Sequence, residues 1–72
     1  MYKIIYLDID LGYKIKSALN HSKAFKEKLK LTNSGVYVIC IFDSVQASYL
    51  FKTLDFNYYK QTVEQCFNSS TK

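Results

Sequence analysis

Along residues 2–9, YKIIYLDI, both alternating sets are rich in apolar types: Lys3, Ile5, Leu7 and Ile9 on one, Tyr2, Ile4 and Tyr6 on the other. This is the pattern of a strand with two largely apolar faces. From Leu11 to Lys30 the period changes. Ile15, Ala18, Leu19, Ser22, Phe25 and Leu29 recur at three- and four-residue steps, the stripe of an amphipathic helix. Residues 31–35, LTNSG, stop it, since Asn33 and Gly35 tolerate left-handed backbone angles.

VYVICIF, 36–42, is the strongest strand signal and reads as central in the sheet. Asp43 or Ser44 can then cap a second helix, with Gln46 in capping-box position and Ala47, Leu50, Phe51 and Leu54 as its stripe. The last segment reads two ways. Phe56, Tyr59, Val63, Cys66 and Phe67 have helical spacing, whereas YYKQTV has high strand propensity. A third strand is the preferred reading, because a two-stranded sheet is marginal.

The expected fold is a small α/β domain, with α+β also open: βαβαβ, two to three strands and two helices. One compact domain spans 1–67, followed by a polar tail at 68–72. A long helix between the first two strands makes them parallel. Asp8, Asp10 and Asp43 would then share the carboxyl edge, where open α/β sheets place their sites.

Composition adds a second theme. The chain has 72 residues, enough for one core, yet carries seven Tyr and five Phe. A core of this size cannot enclose every ring, so some tyrosines are expected at an interface, namely Tyr2, Tyr6, Tyr58 or Tyr59. The two cysteines and single histidine do not make a structural zinc set. No apolar run reaches the length of a membrane span and no basic segment precedes the first strand, so neither span nor signal peptide is expected and the cytoplasm is the expected location.

The stretch IIYLDIDLG, 4–12, resembles the first motif of haloacid-dehalogenase-type phosphohydrolases, an apolar strand running into D-x-D-G-T. The resemblance implies Asp8 as nucleophile, Asp10 as general acid and base, and Mg²⁺ on the carboxylate edge. It covers about ten residues, and Leu11-Gly12 stands where that family has Gly-Thr. The alternative reading is structural: carboxylates at the end of a strand, favoured near a helix N-terminus. This reading is preferred, and no enzyme, metal or cofactor is expected.

The charge is +4, and every basic residue is lysine. Lacking the planar fork of arginine, such a chain suits diffuse electrostatic contact better than base readout. Lys16, Lys23 and Lys30 fall at seven-residue steps and line one flank of the expected helix, with Lys14 and Lys28 on the other. The expectation is a small non-enzymatic protein that binds and blocks a protein partner, in the manner of phage- or plasmid-encoded inhibitors of host defence nucleases, with a homodimer also possible. The alternatives are a lysine-lined nucleic-acid binder of weak, salt-dependent affinity, and a divalent-metal phosphoryl-transfer enzyme using Asp8, Asp10 and Asp43.

Overall fold

The computed structural model describes residues 1–8 and 12–70, with side chains described as far as Gln65. Four strands and two helices follow in the order β1 (Tyr2–Asp8), β2 (Gly12–Ala18), α1 (His21–Asn33), β3 (Tyr37–Asp43), β4 (Ser48–Lys52) and α2 (Phe56–Ser70). The sheet order is β2-β1-β3-β4 and every pair is antiparallel. The class is therefore α+β, with four strands where two or three were expected.

The expected long helix of residues 11–30 is two elements. Gly12, at φ +80°, opens β2 in a conformation that suits glycine, and β2 then runs back along β1 from Asp8↔Gly12 to Tyr2↔Ala18 without a register shift. Helix α1 begins only after Asn20, whose side chain accepts from the Lys23 N–H at 2.9 Å. It ends as expected at Gly35, φ +94°. The Gly35 N–H reaches the Thr32 carbonyl and the Val36 N–H the Leu31 carbonyl, the paired bonds of a Schellman cap. The extra reversal at β2 sends β3 antiparallel to β1 rather than parallel.

Beyond β3 the second expected helix is a hairpin. Asp43 does cap backbone donors, accepting from Val45 N–H at 2.9 Å and Gln46 N–H at 3.3 Å. The chain then turns through Ala47 at φ 54° and returns as β4. The preferred third strand in the last segment is instead α2, the helical alternative, anchored by buried Phe56 and Val63. Of the expected polar tail, residues 71–72 lie outside the described residues, and α2 extends through Ser70.

The helices take opposite faces of the sheet. On one, Ile4, Tyr6, Ala18, Val38 and Ile41 meet Ala24 and Leu31 of α1. On the other, Ile5, Ile39 and Cys40 meet Phe56 and Val63 of α2. Strand β1 alternates strictly between these cores. Strand β3 does not, because Ile39 is an extra residue between the pairs Ile5↔Cys40 and Tyr6↔Val38. The bulge turns Ile39 and Cys40 toward the same helix. Two-sided burial explains why β1 and β3 read as apolar on both faces.

Candidate functional site

The expected carboxylate edge does not form. In the antiparallel register Tyr2 pairs with Asp43, so Asp8, at the far end of β1, lies roughly 20 Å away at about 3.4 Å per residue. Asp43 is 5% exposed and spent on its turn. Asp10 lies outside the described residues. Among the described residues no three His, Cys, Asp or Glu side chains gather as a metal site.

The lysines expected on one helix flank divide between two elements. Lys23 and Lys30 share a flank of α1 with Lys26, while Lys16 belongs to β2. Directly opposed residues in an antiparallel pair point to the same face. Lys16 opposite Ile4 and Lys14 opposite Tyr6 therefore point to the side where α1 packs. Glu27 of α1 binds the two elements together, with Lys16 Nζ at 3.5 Å and Lys30 Nζ at 3.9 Å.

Between β2 and this flank runs an open groove of about 430 Å³, lined by Ser17, Ala18, Leu19, Lys23, Lys26, Glu27 and Lys30. Its walls are mostly apolar and its rim is cationic. Leu19, 71% exposed, stands at its mouth just before the Asn20 cap. Lys26 and the β2 placement of Lys14 escape a helical reading of residues 11–30, and Leu19, expected on the apolar stripe of that helix, is exposed instead. The signal that could have found β2, and Lys14 with it, is the alternation K-I-K-S after a glycine, which suits a solvated edge strand. Lys28 lies on the other flank of α1, as expected, with its Nζ 4.5 Å above the Phe51 ring centroid.

The expected contact tyrosines separate. Tyr6 is 8% exposed and belongs to the core, so it offers no contact surface. Tyr2 is half-buried, edge-on to His21 at 6.2 Å. Tyr58, 82% exposed, stands edge-on to Tyr59 at 5.0 Å on the opposite side of the molecule. Tyr59 in turn meets Tyr13 at 6.4 Å and Tyr37 at 5.9 Å. The Tyr37 hydroxyl donates to the Asp55 carboxylate and shares a hydrogen bond of 2.7 Å with Thr53. The bond to Asp55 holds the Tyr37 pKa above the ordinary tyrosine value. That hydroxyl is therefore a neutral structural tie at physiological pH.

Cys40 is fully buried, and desolvation pushes its thiol up to about 12. A thiol that stays protonated is a poor nucleophile. Its role is packing beneath α2. Among the described residues no helix is long and apolar enough to cross a membrane. Comparison with protein-family models, curated proteins and solved structures yields no match to this chain.

Proposed function

We propose that this protein is a non-enzymatic binding module that covers an acidic protein surface with the lysine-rimmed groove between β2 and α1. One observation carries the reading: Lys23, Lys26 and Lys30 of α1 line an apolar-walled groove, and Lys16 reaches from β2 to the Glu27 carboxylate in that lining, which it shares with Lys30. Opposite charges around an apolar centre give rate and register to a protein contact, while the apolar walls and Leu19 give it area to bury. Lysine points flexibly at carboxylates without the bidentate geometry that base edges demand.

An acidic target suits the broader expectation of an occluding inhibitor. A nuclease that works with divalent metals must present clustered carboxylates to hold them. A compact cationic plug of phage or plasmid type is a natural ligand for such a surface.

The test is capture of binding partners from host-cell extract with nuclease present throughout. The wild type should retain a protein partner that the Lys23→Glu/Lys26→Glu/Lys30→Glu variant loses, while a Lys52→Glu/Lys60→Glu control keeps it. A partner captured only in a parallel experiment without nuclease would point instead to the nucleic-acid alternative. A partner retained by the triple variant but lost on replacing Tyr58 would move the interface to the opposite side.

A further inference from the structure

The two edges of the sheet differ in fitness for pairing. Strand β4 is five residues long and carries a bulge, since Ile41 pairs with Phe51 and Phe42 with Tyr49, leaving Leu50 extra. Bulged, short edges resist strand addition. Strand β2 has seven residues in unbroken register with β1. Among the described residues nothing pairs with its outer edge, so a row of backbone donors and acceptors faces outward there.

Side chains on β2 decide what can use that row. Lys14 and Lys16 point to the α1 side, and Tyr13, Ile15 and Ser17 to the other. A second copy of this chain pairing antiparallel about Ile15 would set Lys14 against Lys16, which is unfavourable for like charges. An acidic strand meets the opposite situation. Its alternate residues on the α1 side would face Lys14 and Lys16 and, beside Ser17 and Ala18, the groove lined by Lys23, Lys26 and Lys30. The residues between them would lie beside Ile15, which is 36% exposed.

We propose that β2 accepts an extended segment of the partner as a fifth strand, and that the segment alternates acidic with apolar residues. The proposal rests on the acidic-surface reading above and adds the mode of recognition. Main-chain hydrogen bonds to β2 give affinity, and the lysine groove reads every second side chain. The same lysines that block self-pairing select the partner.

The probe is a synthetic peptide alternating Glu with Val, about as long as β2, compared with an isomer in which all Glu precede all Val. Binding is followed by titration calorimetry and by amide hydrogen exchange of the intact protein. The alternating peptide should bind at least about tenfold more tightly, slow exchange in residues 12–18, and lose both effects in a Lys23→Glu/Lys26→Glu variant. Equal binding of the two isomers without protection of β2 would overturn strand addition while leaving an acidic-surface contact in place. Protection confined to residues 48–52 would overturn it too. Failure of both peptides to bind would overturn strand addition alone, because the acidic-surface reading is judged by capture from extract.

Discussion

The edges β2 and β4 close the same sheet by different physics. Strand β4 is closed by packing: Tyr49 stacks on Phe42 at 5.1 Å and on Phe56 at 4.9 Å, and Lys52 lies over the rings of Tyr49 and Phe56 at 5.8 and 5.6 Å. Phe51 lies beneath Lys28 on the opposite face. Strand β2 is held mainly by its ladder to β1, with Lys14, Ile15, Lys16 and Ser17 all exposed. The closed edge contributes to stability, and the open edge is the one proposed to bind. If the two are energetically separate, each can be broken without the other.

The largest effect is expected at the closed edge. Phe56 is 5% exposed and supports Tyr49 from α2, so Phe56→Ala should cost about 3–5 kcal/mol, as for other buried aromatics. That is enough to unfold much of a domain of this size at room temperature. Ile15→Ala on the open edge should cost well under about 1 kcal/mol. Urea denaturation of the two variants checks the contrast, and similar losses would show that β2 is packed after all.

Alkaline pH is a second lever on the closed half, because Cys40 pairs with Lys52 of β4. Its thiol ionises near 9.0 when unfolded and near 12 when folded, through burial. Below pH 9 both states hold the proton, and stability is independent of this group. Above it the unfolded chain releases the proton first, so stability falls until the folded thiol ionises too, with a slope approaching about 1.4 kcal/mol per pH unit. Tyr49, also raised, chiefly by burial, adds in the same direction. Cys40→Ala should have a visibly shallower decline in melting temperature above pH 9, and identical profiles would contradict a buried neutral thiol.

The difference between the edges also explains what could be read in the sequence. Strands β1 and β3 are buried on both faces, and their uninterrupted apolar runs identify them directly. Strand β2 buries only Ala18, so it lacks an apolar alternation, and Ile15, Ala18 and Leu19 fell by accident into phase with the true helix that follows. At β4 the bulge at Leu50 sets two successive residues, Leu50 and Phe51, toward the α1 core. That breaks the two-residue period and imitates helical spacing, while Leu54, counted in the same stripe, is fully exposed. In α2 the helical spacing of Phe56 and Val63 outweighed local strand propensity because tertiary burial decides such segments. The lysine cluster was half legible, since Lys23 and Lys30 do share a helix flank, but the arrival of Lys16 from a neighbouring strand depends on a hairpin that no local period reveals.

A smaller effect is expected where the open edge passes into α1. Asn20 accepts from the Lys23 N–H, and Asn20→Ala should cost about 1 kcal/mol, the usual value of an N-cap. The loss would loosen the first turn of α1, which carries Lys23, without touching β4. Amide exchange should therefore rise in residues 21–24 and stay unchanged in 48–52. Uniform acceleration across the sheet would mean that the two edges are not energetically separate.

The smallest effect concerns Glu27, and its direction is more informative than its size. The Glu27 carboxylate lies 3.5 Å from Lys16 Nζ and 3.9 Å from Lys30 Nζ, with the lysine side chains 47% and 79% exposed. Exposed pairs of this kind contribute at most about 1 kcal/mol, and salt screens them. Glu27→Gln should therefore lower stability slightly while freeing two cations for an incoming carboxylate, so acidic ligands should bind more tightly. Lys16→Ala should lower both stability and binding. Urea denaturation paired with calorimetric titration of an acidic peptide separates the two cases. If Glu27→Gln weakened binding, the carboxylate would be holding Lys16 and Lys30 in place for the ligand, and the groove would work by geometry rather than by unbalanced charge.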